Sequence, residues 1–298
     1  MRPNAFAYTR PDTVDEALAL LVEHGEDAKL LAGGQSLIPL MKLRVVYPAV
    51  VVDLNRIPGA DGLSVDGEFV RFGALTRHVA VQRSAEIRRA LPVVAEAVDE
   101  LADVQVRNLG TVAGSAAEAD PSGDWGPVLL AVGGEFVCRS TTGRRVVPVD
   151  GFFVDYLTSD LDHTEMIEEI RLRRPPARGA GSAYRKLERR VGDFAVVSTA
   201  VALTLDDDGR CTSVGVGVGG VGLTPYKAKS AEDLLRGTVV DQAALDEATE
   251  LVRSEISPID DGRGPAWYKR DTAGVFFQRT MAAALERARA SLTGGNPS

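Results

Sequence analysis

The sequence predicts mixed strands and helices folded as two or three lobes rather than around one core. Three observations carry that expectation. The chain has 298 residues, more than a single core usually organises. Strand-like and helix-like periodicities alternate in short blocks. A stretch rich in Pro and Gly, Pro175-Pro176-Ala177-Arg178-Gly179-Ala180-Gly181, reads as a linker before the C-terminal third. The boundaries that follow are residues 1–60 and 61–177 for two lobes, then 178–298 for a further domain.

In the first lobe, Thr13-Val14-Asp15-Glu16 has the form of a capping box. Val14, Ala17, Leu18, Leu21 and Val22 then repeat at the spacing of a helix face. Gly25 is expected to end that helix in a left-handed cap. A strand at Ala28–Leu31, the loop Ala32-Gly33-Gly34-Gln35-Ser36-Leu37 and a strand at Ala49–Leu54 complete a β-α-β unit.

The second lobe has strand patterns at Glu68–Ala74, Glu135–Arg139 and Arg144–Val149, the last two joined as a hairpin by Thr141-Thr142-Gly143. Helices are expected at Ala85–Leu91 and Pro92–Leu101. Arg107 to Asp124 reads as a long irregular stretch, and loops that long inside a compact domain tend to be functional. Beyond the linker, Phe194–Leu205 and Cys211–Val218 are strands. Asp241 caps a helix over Gln242–Ile256, and a last helix begins near Pro265.

Composition narrows the functions. A net charge of −8 argues against a broad nucleic-acid surface, which needs a basic face. The basic run Arg185-Lys186-Leu187-Glu188-Arg189-Arg190 is too short to reverse this and fits a partly buried anion site or a solvated strand edge. No apolar run approaches the roughly 20 residues of a membrane span, and Met1–Tyr8 does not resemble a secretory signal. A cytoplasmic location is expected. Cys138 and Cys211 stand too far apart for a CxxC site, and an iron–sulfur cluster typically needs four thiolates. His24, His78 and His163 are isolated and are expected at solvent-facing or helix-end positions, so no metal site or catalytic residue is predicted.

Three glycine-rich segments remain. Ala32–Ser36 and Gly110-Thr111-Val112-Ala113-Gly114-Ser115 each let backbone amides approach an anion without an intervening Cβ, with hydroxyls as further donors. Singly, each is also an ordinary chain reversal; as a pair in adjacent lobes they can clasp a dinucleotide pyrophosphate. Gly217-Val218-Gly219-Gly220-Val221-Gly222 matches GxGxxG formally, but no helix pattern starts there, so it reads as a strand packed closely on a neighbour. Asp124, in Asp120-Pro121-Ser122-Gly123-Asp124, is either a helix cap or a carboxylate for sugar hydroxyls; spacing does not separate the two.

Taken in order, Leu31–Lys42, Val52-Asp53-Leu54, Arg107–Ser115, Ala119–Asp124, Tyr184-Arg185-Lys186-Leu187, Gly192-Asp193-Phe194-Ala195 and Asp261-Gly262-Arg263-Gly264-Pro265 resemble the FAD-binding medium subunit of the carbon monoxide dehydrogenase and xanthine dehydrogenase family, over nearly the whole chain. The resemblance implies an α+β fold, with a two-lobed FAD-binding domain of the vanillyl-alcohol-oxidase (PCMH) type and a C-terminal domain of small antiparallel sheet plus helices. It implies FAD as the cofactor. Ala32, Gly33, Gly34, Gln35, Ser36 and Leu37 would hold the pyrophosphate with Thr111, Val112, Ala113, Gly114 and Ser115. Asp124 would take sugar or ribityl hydroxyls, and Leu101 and Ala102 would line the adenine end. Ile167 would present its backbone to the isoalloxazine edge, Lys186 would stand beside the flavin, and Phe194 would touch the ring.

By the same resemblance, the partners are a small [2Fe–2S] iron–sulfur subunit and a large molybdopterin subunit, assembled as a dimer of heterotrimers. The chain would pass electrons from the clusters to NAD⁺, a quinone or oxygen. There are departures. The family's Gly-Gly-Asn is Ala113-Gly114-Ser115 here, Glu118 introduces an acid near the phosphate loop, and Phe194 replaces a tyrosine. An alanine at 113 is tolerable only with negative φ. These changes motivate two rivals, a free-standing FAD-dependent oxidoreductase acting on a small molecule and a scaffold subunit without flavin.

Overall fold

The computed structural model describes residues 2–294. The first lobe runs β1 (Ala7–Thr9), α1 (Val14–His24), β2 (Ala28–Leu31), α2 (Leu37–Leu43) and β3 (Val50–Asp53). Its strands are parallel in the order β1-β3-β2. Every residue of the central β3 is buried, which is why Val50, Val51 and Val52 follow one another without polar alternation. Thr13 and Glu16 cap α1 reciprocally. Gly25 does take positive φ, but with ψ −135° it leads into a short 3₁₀ turn over Gly25–Asp27 rather than a left-handed cap.

The second lobe comprises β4 (Leu63–Val65), β5 (Phe69–Gly73), α3 (His78–Arg83), α4 (Ala85–Ala90), α5 (Pro92–Glu100), α6 (Val104–Leu109), α7 (Val112–Glu118), α8 (Trp125–Val132), β6 (Gly134–Ser140), β7 (Gly143–Pro148), β8 (Phe153–Asp155), β9 (Thr158–Ser159) and β10 (Met166–Arg173). Its main sheet is antiparallel in the order β4-β5-β10-β6-β7. The expected irregular stretch from Arg107 to Asp124 is largely helical instead. Asp103 caps α6 by accepting from the Val106 amide at 2.8 Å, and Thr111 caps α7 by accepting from the Gly114 amide at 3.1 Å. Two well-made caps outweigh the poor propensity of Gly and Ser in so short a run.

The C-terminal part contains β11 (Ala180–Leu187), β12 (Val197–Leu205), β13 (Cys211–Gly219), β14 (Tyr226–Lys227), α9 (Lys229–Leu235), α10 (Gln242–Glu255) and α11 (Ala266–Leu292). Its antiparallel sheet, in the order β11-β12-β13-β14, is packed by α11 and α9 of its own part and by α5 and α8 of the second lobe. α11 packs against β11 and β12, and a Cβ at Gly181 would lie 2.0 Å from the Ala284 carbonyl oxygen. α8 of the second lobe packs against β13, where a Cβ at Gly215 would lie 2.0 Å from the Ala131 oxygen and one at Gly217 2.0 Å from the Pro127 oxygen. Alternate glycines on one face of β13 thus admit a helix backbone, and the formal GxGxxG opens no helix. Tyr184 and Ala200 of this sheet join the buried cluster of the second lobe, so the α+β chain has a core that runs across the linker.

Candidate functional site

The two glycine loops meet. A Cβ at Gly33 would lie 2.3 Å from the Leu109 carbonyl oxygen and 2.7 Å from Gly110 Cα, so only glycine allows this contact. Gly34 follows with φ +70°. One loop lies ahead of α2 and the other ahead of α7, so two helix starts flank one seam; in the second, the Val112, Gly114 and Ser115 amides donate to the Thr76 carbonyl oxygen, Thr111 Oγ1 and the Thr111 carbonyl oxygen. Ser36 stands at the N-cap of α2 without making a side-chain cap hydrogen bond, which leaves its hydroxyl to a ligand. The Gln35 side-chain amide donates to the Gly33 carbonyl at 3.2 Å and stiffens the turn.

In the second loop, Thr111 is 2 % exposed and its hydroxyl oxygen is occupied by the Gly114 amide. A Cβ at Gly114 would sit 2.6 Å from that oxygen, so the glycine serves the cap before any ligand. Ala113 is helical with negative φ, and its methyl lies in the core beside the buried Val112. The extra Cβ therefore stays clear of the amides, and Ser115 follows half-buried. Glu118 ends α7 with its carboxyl raised, first by burial and then by Asp120.

A second cluster forms where β11 faces the start of α8. Asp124, 7 % exposed, occupies the N-cap position of α8 but makes no side-chain cap. Its carboxylate instead accepts the Tyr184 hydroxyl at 2.6 Å and the Lys186 ammonium at 3.1 Å. Spacing left a cap and a ligand carboxylate open; the cap falls away. Burial raises the Asp124 carboxyl, against the pull of Lys186 and Tyr184, and burial holds the Tyr184 phenol well above its ordinary range. The fully buried Lys186 side chain also meets Glu188 at 3.2 Å and the Glu100 carbonyl at 3.1 Å. Its three ammonium protons thus all have protein acceptors.

Between the clusters lies a buried pair. The Trp125 indole donates to His78 Nδ1 at 3.2 Å, and a Cβ at Gly110 would lie 2.8 Å from the His78 ring. His78 is at a helix start, as expected, but 3 % exposed. Burial first, then Arg77 and Arg107, lowers its pKa to about 3, so it is neutral near pH 7. Phe194 is 48 % exposed with the Arg263 guanidinium 5.4 Å from its ring centre, and the adjacent Ala195 amide donates to the Ser122 carbonyl in the Asp124 turn. Ala102 has φ +45°, and its carbonyl accepts from Arg107 at 2.8 Å. Its carbonyl oxygen also lies 3.0 Å from where a Gly192 Cβ would stand. Ile167 is buried at a bulge in β10, the strand against which α7 packs.

Reasoning on the sequence missed Tyr184, Asn55 and Arg77. Tyr184 precedes Lys186 by two residues on one strand, so period-two alternation places both on one face. Asn55 donates to the Ala32 carbonyl at 2.9 Å, and Arg77 donates to the Leu109 carbonyl and to Asn55 Oδ1. Those contacts are nonlocal and leave no signature in spacing. The glycine contact and the free Ser36 hydroxyl fit a diphosphate, and the half-exposed Phe194, next to the Asp124 turn, offers a flat face for a ring. Among the described residues, no group of three or more His, Cys, Asp or Glu is placed to hold a metal, and no helix is long and apolar enough to cross a membrane.

Comparison with known proteins agrees. Residues 4–175 match the FAD binding domain in molybdopterin dehydrogenase, and residues 182–284 match the CO dehydrogenase flavoprotein C-terminal domain. The chain is 37% identical to the carbon monoxide dehydrogenase medium chain of Afipia carboxidovorans, over 97% of this chain and 100% of that one. It is 35% identical to the 6-hydroxypseudooxynicotine dehydrogenase complex subunit alpha of Paenarthrobacter nicotinovorans, over 97% of each. Among solved structures, it superimposes on a chain of carbon monoxide dehydrogenase from Hydrogenophaga pseudoflava with a TM-score of 0.93 and 39% identity, covering 96% of this chain and 99% of the other.

Proposed function

This chain belongs to the FAD-binding medium-chain family of the molybdenum hydroxylases, and on that premise we propose that it is the electron-transfer subunit of such a complex. The observation that carries the reading is the seam of two glycine loops beside the buried Asp124–Lys186 pair. When bound, FAD supplies the redox chemistry, exchanging electrons singly with one partner and in pairs with another.

The chain's own residues supply the rest. Ala32–Leu37 bind the diphosphate through backbone amides and the Ser36 hydroxyl, and Thr111–Ser115 form the facing wall that holds it. Asp124, held by Tyr184 and Lys186, keeps a carboxylate oriented toward ligand hydroxyls, with Ala102 toward the adenine end. Ile167 presents its backbone to the ring's edge, and Phe194 touches the ring. The partners are a small [2Fe–2S] subunit and a large molybdopterin subunit, in a dimer of heterotrimers. Cys138 and Cys211 are buried free thiols, each pushed up to about 11 chiefly by burial, and so are poor cluster ligands. That supports clusters held on another polypeptide.

The test is the visible spectrum of the chain purified alone and from co-expression with its neighbouring genes. A flavin spectrum in both preparations, bleached by the complex's substrate only when the partners are present, is expected. Bleaching of the chain alone would move the reading to a free-standing oxidoreductase. A colourless chain that takes up no added FAD would end the flavin reading.

A further inference from the structure

Arg77 lies at the seam of the two loops, and its surroundings leave its charge unanswered. Its Nη1 donates to the Leu109 carbonyl, the same oxygen against which Gly33 is pressed. Its Nη2 donates to Asn55 Oδ1, and Asn55 in turn holds the Ala32 carbonyl at 2.9 Å. Its backbone forms a bridge with Thr111. One guanidinium thus reaches both loops, directly or through one amide.

Both acceptors are neutral oxygens. A guanidinium has five N–H donors, so three remain. Among the described residues no carboxylate lies within ion-pair distance; of the nearby acids Asp61 and Asp53, the latter is 3.5 Å from Arg10 instead. The half-buried guanidinium has its pKa lowered by desolvation, and Asp61 and Asp53 act on it only from a distance. Arg107 and Arg270 also donate only to carbonyl oxygens, but neither bridges the two loops; the two buried lysines differ. Lys186 faces Asp124 at 3.1 Å and Glu188 at 3.2 Å, and Lys269 faces Asp261 at 2.7 Å. A desolvated cation with spare donors and only neutral partners is matched by an anion from outside the chain.

We propose that Arg77 is a further binding residue of the site, the counter-charge for the diphosphate that the two glycine loops cradle. This rests on the flavin reading above. The planar fork suits phosphate oxygens, and its two pins fix it between the loops before the ligand arrives. The bound anion would in turn tie the first lobe to the second through one side chain.

The experiment titrates FAD into the full chain stripped of flavin, at several ionic strengths, for the wild type and Arg77→Met. Loss of a charge-assisted contact should weaken binding on the order of tenfold and flatten its dependence on salt. An unchanged affinity overturns the proposal. Weaker binding with an unchanged salt dependence also overturns it, because that is the mark of a residue that only pins loops. If Arg77→Met does not fold, Arg77→Gln keeps a donor for the Leu109 carbonyl while removing the charge, and the same two readouts decide. A wild-type chain that binds no FAD removes the flavin reading and this proposal together. A wild type that binds and a variant that binds identically removes only the proposal.

Discussion

The two glycine-rich regions of this molecule use the same residue for the same steric reason and come to opposite ends. At Gly33 a Cβ would lie 2.3 Å from the Leu109 oxygen, and at Gly217 it would lie 2.0 Å from the Pro127 oxygen. In both places glycine lets two backbones touch. In β13 that contact is the whole story, because Gly215–Gly219 is buried and the neighbour is a helix. At the loop seam Ala32–Leu37 stays half-open, and Ser36 and Arg77 bring donors that no carboxylate among the described residues satisfies. A glycine pattern reports close approach. The polar groups gathered around it are what make a ligand there worth proposing.

That contrast is most sharply broken by paired substitutions. Gly217→Val drives a branched side chain into the α8 backbone and should cost about 5 kcal/mol, enough to leave little soluble chain. Gly33→Ala meets an equally close oxygen, but on a loop that can part from its neighbour. It should cost about 2 kcal/mol and strip FAD from a chain that still melts cooperatively. Thermal melts and bound-flavin absorbance read both. If Gly33→Ala unfolds the chain as Gly217→Val does, the seam is core and the distinction fails.

A smaller effect tests the second cluster. Lys186→Met leaves Asp124 and Glu188 facing each other without their shared cation and should destabilise by about 3 kcal/mol. Since burial already raises the Asp124 carboxyl, part of that cost is relieved by protonation. The variant should therefore recover stability relative to the wild type as pH falls. Urea unfolding at two pH values measures this. A loss that is the same at both would show that Lys186 contributes by packing its stem rather than by charge.

How much of this was legible beforehand depends on the range of each interaction. The α1 capping box, the β6–β7 hairpin and the Asp241 cap were readable because their partners lie within a few residues. β1, three residues long, carries no period to detect. α6 and α7 read as loop because their stability lies in Asp103 and Thr111 while their interiors hold Asn, Gly and Ser. The glycine loops were legible as a pair, while their use as anion nests stays a proposal, as do the roles that resemblance gave to Asp124 and Lys186. Tyr184 was within reach of strand alternation. Arg77 was not, since its meaning arises from Leu109, 32 residues on, and from Asn55, 22 residues back.

The smallest effect comes from His78, which sits beneath Gly110 and ties the open seam to the closed core. Its Nδ1 must stay unprotonated to accept the Trp125 indole, and burial lowers its pKa to about 3 from an ordinary 6.5. The folded chain therefore binds this proton less readily than the unfolded one. The site carries no penalty above about pH 6.5, and stability drains away as pH falls from there toward 3. Between pH 7 and pH 5 the loss from this one group is about 2 kcal/mol. His78→Gln keeps an acceptor for the indole but does not titrate, so its melting temperature should fall less than the wild type's over that interval. The β13 region has no buried histidine, so a flavin-loaded chain should shed FAD in the same pH window if the seam loosens first. Unfolding and flavin release that coincide at every pH would instead show that the seam and the core open as one unit.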